Sequence, residues 1–220
     1  MNAPKIENID TIRTIVLDLD GTLYDKSGLA KRLIFSQLLH LPLLAAERKT
    51  RKQLKGQNFG TEEAFYDVFF KEMAENRCFS VEKARKWYFA KYMPAMVCAL
   101  ERSFSAYPWV DGAVAQWKQR GIRVAVYSDY GAVPEKLRAL GLDPEMFDLV
   151  ISAPQLGGLK PSAQSAERLL KLLNATPAET LFIGDRPDTD GASAEAVGAG
   201  FLLISNFKFQ ISDYGENTAV

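Results

Sequence analysis

Side chains capable of chemistry follow four short apolar runs of this 220-residue sequence. Asp18 and Asp20 come directly after the first run, and Ser128 ends the second. Lys160 lies in a glycine-rich loop after the third run, and Asp185 follows the fourth. Ligands of open parallel sheets bind beyond the carboxyl ends of the strands, near the point where the strand order reverses. If the runs are parallel strands, these five side chains are therefore expected to meet.

Phosphoryl transfer is the chemistry that such a group of side chains suits. Several close carboxylates raise each other's pKa values unless a cation lies among them. Mg²⁺ fits this need because it accepts one or two carboxylates together with water and phosphate oxygens. Lys160, the Ser128 hydroxyl and the backbone N–H groups around residues 18–20 would complete a cradle for an oxyanion. Positioning and charge neutralisation carry most of the catalysis of phosphoryl transfer.

The two aspartates after the first run are expected to have different roles. Asp18 follows the predicted strand directly, so the sheet fixes it and it is the better nucleophile for an aspartyl-phosphate. Asp20 could protonate the leaving oxygen and then deprotonate the attacking water. Gly21 allows the tight turn that aims both side chains.

The apolar runs predict strands buried on both faces of a sheet, because each run is nearly continuous rather than alternating. Helical patterns separate the later runs, which favours right-handed crossovers and a parallel sheet covered on both sides. The fold class is therefore α/β, with a Rossmann-like core. The runs are residues 12–17, 122–127, 147–151, 180–183 and 201–204, and the helical patterns are residues 108–120, 133–140, 163–173 and 189–197.

A long insertion separates the first predicted strand from the second. A βαβ unit takes roughly 30 residues, whereas residues 18–121 lie between these two runs. The predicted helix at residues 108–120 supplies the crossover, which leaves residues 24–101 as the insertion. Apolar residues recur there at helical spacing, so about four helices are expected.

The four polar positions resemble the four signatures of the haloacid dehalogenase superfamily, in its phosphatase branch with a helical (type 1) cap. The stretch 18–22, Asp-Leu-Asp-Gly-Thr, resembles the first signature. Ser128, Lys160 and the run from Asp185 to Asp190 resemble the second, third and fourth, in the same order. The resemblance covers about residues 12–204. It implies a catalytic core of residues 1–23 and 102–220 and an inserted cap of residues 24–101, which closes over the site and supplies specificity.

The resemblance also implies a role for each matching residue. Asp18 would be the nucleophile and a Mg²⁺ ligand, and Asp20 the acid and base, with its main-chain carbonyl on the metal. Lys160 would steady the nucleophile and the transferred phosphoryl group. The phosphate-binding set comprises Asp18, Leu19, Asp20, Ser128, Asp129 and Lys160.

In the last acidic run, Asp185 would bind Mg²⁺ and Asp190 would support Lys160 or the waters of the metal. Asp188 is the weaker candidate, because a spacing of five residues matches the family better. Two positions depart from the family pattern. Asp129 stands where Asn is frequent, and its carboxylate is expected to point away from the phosphate that it would repel. Arg186 stands where Ser or Asn is common, and it either reaches substrate or pairs with an acid outside the site.

The overall composition gives no reason to expect nucleic acid or a membrane as a partner. Lys plus Arg equals Asp plus Glu at 27 each, so the net charge exerts no general attraction. The N-terminus lacks the apolar run of a secretory signal, and residues 1–10 are expected to be a loose leader. Cys78 and Cys98 are expected to be small buried residues in a reducing cytoplasm, where the protein is predicted to act.

The sequence thus predicts a Mg²⁺-dependent phosphatase that hydrolyses a small phosphorylated metabolite through an aspartyl-phosphate. A phosphomutase acting on a sugar phosphate and a non-catalytic binding protein with the same fold remain alternatives. Asp20 disfavours dehalogenation, because a halide needs no proton on leaving. The single histidine, His40, lies in the insertion and disfavours a serine hydrolase. Cap residues 56–60 are the candidates for substrate contact, and the oligomeric state is left open.

Overall fold

A computed structural model describes residues 11–77 and 79–206 of the chain. Residues 1–10, expected to be a loose leader, lie outside the described residues, as do Cys78 and residues 207–220. The described chain contains a five-stranded parallel sheet with the strand order β3-β2-β1-β4-β5. The strands are β1 (Thr14–Leu17), β2 (Arg123–Ser128), β3 (Leu149–Ser152), β4 (Thr180–Gly184) and β5 (Gly200–Leu203), close to the five predicted runs.

Both faces of this sheet are covered, which explains why its strands are apolar at successive positions. Ile15 and Leu17 of β1 join one hydrophobic cluster, whereas Val16 between them joins another. On the first face pack α6 (Trp109–Gln119) and α7 (Val133–Ala139). On the second pack α8 (Ala163–Leu172) and α9 (Ala192–Val197). Burial of alternate side chains on opposite faces gives the three layers of an α/β fold.

The described part of the insertion forms five α-helices, where about four are expected. They are α1 (Leu29–Ser36), α2 (Leu41–Leu54), α3 (Glu62–Arg77), α4 (Val81–Trp87) and α5 (Met93–Ser103). A π-helical turn, Tyr88–Tyr92, joins α4 to α5 without a break. Pro94 does not interrupt the helical chain there, because it occupies the first turn of α5, where its missing N–H is tolerated.

Aromatic side chains pack together at the centre of these helices. Phe65, Phe69 and Phe70 of α3 are fully buried, and Phe69 and Phe70 each meet the ring of Tyr88 at 5.5 Å between centroids. Such edge-to-face pairs add to the energy of apolar burial. Cys98 of α5 is half-buried, less enclosed than expected, and carries a free thiol.

No individual helix of residues 11–77 and 79–206 is long and apolar enough to cross a membrane. The pair Leu29–Ser36 and Leu38–Leu54 passes that test of length and composition only when both are taken together, and the two are bent by 78°.

The strand order reverses at β1, which places a crevice at the carboxyl ends of β1 and β4. From β1 the chain crosses to β2 and β3 on one side, then returns to β4 on the other. Leu17 of β1 pairs in register with Ile183 of β4, so the residues that follow them emerge side by side. The two predicted acidic loops thus begin at this crevice, where open α/β sheets bind ligands.

Candidate active site

Asp18 lies at the end of β1 and is fixed from both sides. Its backbone N–H donates to the Ile183 carbonyl at 2.9 Å, which extends the pairing of β1 with β4. Its Oδ1 accepts a hydrogen bond from Lys160 Nζ at 2.9 Å, and its Oδ2 accepts one from Thr22 Oγ1 at 3.0 Å. Burial raises the pKa of Asp18 to about 6, which Lys160 opposes and the carboxylates of Asp190 and Asp20 reinforce.

Lys160 bridges the nucleophile candidate and the last acidic loop. The side chain is 3% exposed, and its Nζ donates to Asp18 Oδ1 at 2.9 Å and to Asp190 Oδ1 at 2.8 Å. Burial lowers the pKa of a lysine, but these carboxylates outweigh it and hold the Lys160 pKa well above its usual value. Asp190 Oδ2 also accepts from the backbone N–H of Arg186 at 3.2 Å. The structure thus places Asp190 beside Lys160, as the sequence predicts.

Asp20 is held by three donors. Its Oδ1 accepts from the Tyr24 hydroxyl at 2.7 Å, and its Oδ2 accepts from Ser128 Oγ at 3.2 Å and from Lys136 Nζ. Burial raises the pKa of Asp20, but the charge and hydrogen bond of Lys136, with the two hydroxyls, outweigh it and leave the pKa below its usual value. Ser128, expected to meet phosphate, therefore turns its hydroxyl toward Asp20, within reach of the same crevice.

Carboxylate and carbonyl oxygens that could hold a cation line the opening of the crevice. Carboxylate oxygens of Asp18, Asp185 and Asp190 lie within 4.8 Å of one another. The ammonium group of Lys26 lies 3.0 Å from the Asp20 carbonyl oxygen and pairs with Asp185 Oδ2. These oxygens are the hard donors that Mg²⁺ prefers, so the residues present fit the expected ion. The expected ligands, Asp18, Asp185 and the carbonyl of Asp20, are together here.

Gly21 makes this arrangement of the crevice possible. Its φ is +101°, and a Cβ at this position would lie 2.6 Å from Asp185 Oδ2 and 2.8 Å from Lys26 Nζ. Only glycine combines that backbone conformation with so close an approach. Leu19 is predicted to belong to the phosphate-binding set, in which the backbone N–H groups around residues 18–20 face the oxyanion. Its side chain is buried, and its carbonyl accepts hydrogen bonds from the N–H groups of Thr22 at 3.2 Å and Leu23 at 3.1 Å.

The two departures from the family pattern both have partners. Asp129 Oδ1 accepts from the backbone N–H of Lys160 at 2.8 Å, so its carboxylate anchors the lysine loop. Arg186 pairs with Asp188, Nη2 to Oδ2, at 2.7 Å. The Asp188 side chain is 55% exposed and also pairs with Lys55. Asp188 is thus outside the acid cluster, which agrees with the preference for Asp190.

The loop between α2 and α3 of the insertion contacts the loop that carries Lys160. Phe59 N donates to the Gly157 carbonyl at 2.7 Å, Leu159 N to the Gln57 carbonyl at 3.1 Å, and Gly56 N to the Lys160 carbonyl at 3.2 Å. A Cβ at Gly158 would lie 2.3 Å from the Gln57 carbonyl oxygen. The loop of residues 56–60, expected to contact substrate, therefore packs backbone to backbone on the loop that carries Lys160.

An arginine whose side chain is 11% exposed makes a second connection between the insertion and the core. Arg51 of α2 donates to the Asp129 carbonyl oxygen at 2.9 Å, and its guanidinium lies 3.8 Å from the centroid of the Tyr130 ring. Within the insertion it pairs with Glu47, whose side chain is fully buried, and donates to the Tyr88 hydroxyl at 2.8 Å. Arg51 therefore ties the aromatic core of the insertion to the loop after Ser128.

The sequence does not identify four of the residues that contact the site: Lys136, Lys26, Tyr24 and Arg51. For Lys136 a signal exists: it lies on the helical face of Val133 and Leu137, both buried, where an apolar residue is expected. A lysine on the buried face of a helix that begins just after Ser128 points to a nearby carboxylate. For Lys26 and Tyr24 the contacts depend on how the chain turns after Gly21, which spacing alone does not determine.

Comparisons with known proteins agree with this geometry. Residues 12–198 match the haloacid dehalogenase-like hydrolases. The chain is 27% identical over 230 residues to a glyceraldehyde 3-phosphate phosphatase of Methanocaldococcus jannaschii, covering 94% of this chain and 93% of that protein. It is 28% identical over 194 residues to the pyrophosphatase PpaX of Listeria welshimeri, covering 86% of this chain and 82% of that protein.

The fold is also found among solved structures. A 2-haloacid dehalogenase of Pseudomonas syringae superposes with a TM-score of 0.58 at 16% identity, over 93% of this chain and 100% of that one. The family match spans most of the chain, and the four signature positions converge at the ends of its parallel strands. The chain therefore belongs to the haloacid dehalogenase-like hydrolases.

Proposed function

We propose that this protein is a Mg²⁺-dependent phosphatase of small phosphorylated molecules that works through an aspartyl-phosphate. The observation that carries the proposal is the arrangement of Asp18, Lys160 and Asp20. A buried carboxylate lies against a buried lysine, and a second carboxylate, held by separate donors, lies two residues along the chain. The curated relatives described above are named as a glyceraldehyde 3-phosphate phosphatase and a pyrophosphatase, which supports phosphate chemistry.

In the first half-reaction, a carboxylate oxygen of Asp18 attacks phosphorus and the bond from phosphorus to the leaving oxygen breaks. Asp20 gives its proton to that oxygen, so an alcohol leaves and Asp18 carries the phosphoryl group. Asp20 takes up this proton when the phosphate dianion arrives, because a neighbouring negative charge raises the pKa of a carboxylate. Lys160 holds Asp18 in position and offsets the charge of the phosphoryl oxygens.

In the second half-reaction, Asp20 accepts a proton from water while the water oxygen attacks phosphorus. The bond between phosphorus and the Asp18 oxygen breaks, inorganic phosphate leaves, and Asp18 returns as a carboxylate. The lowered pKa of Asp20 suits this half, because the group is ionised and ready to accept a proton. Asp18, the Asp20 carbonyl oxygen and Asp185 would hold Mg²⁺, which would supply positive charge that offsets the charge of the phosphoryl oxygens.

Residues 24–101 act in this proposal as a cap that encloses the substrate. The contacts of residues 56–60 and of Arg51 with core loops keep the cap over the crevice. An enclosed site excludes bulk water and favours small substrates over proteins. The leaving group is bound by the cap side of the site, where residues 55–60 are the first positions to test.

Phosphate release tests the proposal directly. Purified protein is incubated with Mg²⁺ and a panel of sugar, triose, glycolate and nucleoside phosphomonoesters and pyrophosphate, with parallel samples in chelator. We expect phosphate release from at least one compound and loss of that release in chelator. Release from none of them would contradict the proposal and favour a non-catalytic protein. An isomeric sugar phosphate formed without free phosphate would identify a phosphomutase.

A further inference from the structure

Lys136 is a buried cation that the signature residues do not account for. It lies on α7, its side chain is 0% exposed, and its ammonium group pairs with Asp20 Oδ2. The ring of Tyr130 covers it, with 5.4 Å between the ammonium nitrogen and the ring centroid. Lysines are almost never fully buried unless paired. The pair with Asp20 therefore explains how this lysine can lie inside.

Stability alone does not explain the pair. Val133 and Leu137, on the same face of α7, are buried apolar residues, and an apolar side chain would fit this face. A buried ion pair is often no more stabilising than well-packed apolar residues of similar size, because both charges lose water. The arrangement is therefore better explained by what the lysine does to Asp20.

The two buried lysines serve different carboxylates. Lys160 pairs with Asp18 and Asp190, whereas Lys136 pairs with Asp20. Among the donors that the described residues offer to the Asp20 carboxylate, Tyr24 and Ser128 are neutral hydroxyls and Lys136 is charged. Charge-assisted hydrogen bonds are roughly twice as strong as neutral ones, so Lys136 contributes most to the orientation of Asp20.

We propose that Lys136 is a positioning residue that holds the Asp20 carboxylate in the orientation required for proton transfer. The proposal rests on the phosphatase function proposed above. Tyr24 holds one oxygen of Asp20 and Lys136 the other, so the carboxylate cannot rotate freely. When substrate draws the Ser128 hydroxyl toward phosphate, Lys136 and Tyr24 keep both oxygens in place. Loss of Lys136 then impairs the steps in which Asp20 moves a proton and spares those in which it does not.

A comparison of two leaving groups distinguishes this role from a structural one. An alkyl phosphate needs a proton on its leaving oxygen, whereas dinitrophenyl phosphate releases a stable anion without one. For Lys136→Met we expect turnover of the alkyl substrate to fall by about 10²-fold or more, the usual share of general acid–base catalysis. With dinitrophenyl phosphate, rapid mixing should still show a fast burst of dinitrophenolate near the wild-type rate, followed by slow turnover, because water attack still needs Asp20.

Four further variants complete the test. Lys136→Arg keeps the charge and is expected to recover part of the alkyl activity. Asp20→Asn and Asp20→Asn/Lys136→Met are expected to turn over equally slowly, since a residue that acts through Asp20 has no effect without it. Lys118→Met removes the lysine of an exposed ion pair with Asp148 and is expected to behave as wild type. Thermal unfolding of each variant verifies folding.

The outcomes separate the two proposals. Absence of phosphate release by the wild type overturns the phosphatase itself. If the wild type is active, equal losses on both substrates with a lost burst assign Lys136 a purely structural role and overturn this proposal. Wild-type activity of Lys136→Met on the alkyl substrate, or additive effects with Asp20→Asn, also overturns it.

Discussion

At the scale of single residues, the site combines several carboxylates with lysines that offset their negative charge. Asp18, Asp185 and Asp190 converge at the crevice, and Lys160 and Lys26 lie among them. The lysines are not equivalent, because Lys160 is buried whereas the Lys26 side chain is 42% exposed. Lys26 contacts the Asp20 carbonyl oxygen and Asp185, two of the oxygens that fit Mg²⁺. A divalent ion and this ammonium group therefore compete for the same oxygens.

Replacing Lys26 is expected to tighten metal binding. In Lys26→Met no ammonium group needs to be displaced, so the dissociation constant for Mg²⁺ should fall about 3- to 10-fold, or roughly 1 kcal/mol. Titration calorimetry of the protein with Mg²⁺ alone measures this without reference to activity. Lys31→Met, at an exposed position of α1, controls for the loss of one positive charge. Unchanged or weaker binding in Lys26→Met would contradict the competition.

The raised pKa of Asp18 predicts how Asp18→Asn changes stability with pH. The pKa is about 6 in the folded protein against an ordinary 3.8, so burial opposes the ionised form. Below about pH 4 Asp18 is neutral in both states and costs nothing. Between about pH 4 and 6 the unfolded chain releases the Asp18 proton while the folded protein keeps it, so the wild type loses stability as the pH rises through this window. Above about pH 6 the loss is complete, and the amide does not titrate at any of these pH values.

Denaturant unfolding without metal measures this difference between wild type and Asp18→Asn. Between about pH 4 and 7, the free energy of unfolding should shift in favour of the variant by about 1 to 3 kcal/mol. Only the change with pH is diagnostic, because the lost hydrogen bond to Lys160 adds a constant cost. A difference that does not vary with pH, or one that shifts in favour of the wild type, would be incompatible with the raised pKa.

At the scale of elements, the sequence predicts the strands and core helices well, because each is encoded locally. The continuous apolar runs predict the positions of β1 to β5 to within a few residues, and the 3.6-residue periodicity predicts α6 to α9. The insertion was predicted as helical, but the π-helical turn and the placement of Pro94 depend on packing of the aromatic core. Lys136 lies on the buried face of α7, which indicates a carboxylate partner but does not identify Asp20, 116 residues away. Lys26 could not be assigned, because its contact with Asp185 depends on how the chain turns after Gly21.

The junction between the loops of residues 56–60 and 157–160 can be tested at Gly158. In Gly158→Ala the new Cβ would meet the Gln57 carbonyl oxygen at 2.3 Å, so the two loops must separate. We expect a loss of about 1 to 3 kcal/mol in the free energy of unfolding and lower phosphatase activity, because the loop carries Lys160.

Gly112→Ala provides the matched control for Gly158→Ala. Gly112 lies within α6, and a Cβ there has no neighbour within 4 Å. Alanine is expected to stabilise that helix by about 0.5 to 1 kcal/mol. If Gly158→Ala unfolds at the same denaturant concentration as wild type with full activity, the backbone junction does not hold the lysine loop.

At the scale of the whole molecule, two units share one site. The sheet brings Asp18 and Asp185 together at the reversal of strand order, and residues of the insertion contact the neighbouring loops. Arg51 and residues 56–60 connect the insertion to the loop that follows Ser128 of β2 and to the loop after β3, which carries Lys160. If the insertion acts as the proposed cap, substrate entry would require these contacts to open.

The covalent intermediate on Asp18 is the central claim, and rapid acid quench tests it most directly. The wild type is mixed with Mg²⁺ and an active phosphomonoester, quenched within a turnover, and its peptides are examined by mass spectrometry. We predict a phosphoryl group on Asp18, and for Asp18→Asn no such group and a fall in phosphate release of more than about 10³-fold. Phosphate release that continues unchanged in Asp18→Asn, with no phosphoryl group on the wild-type residue, would contradict the account.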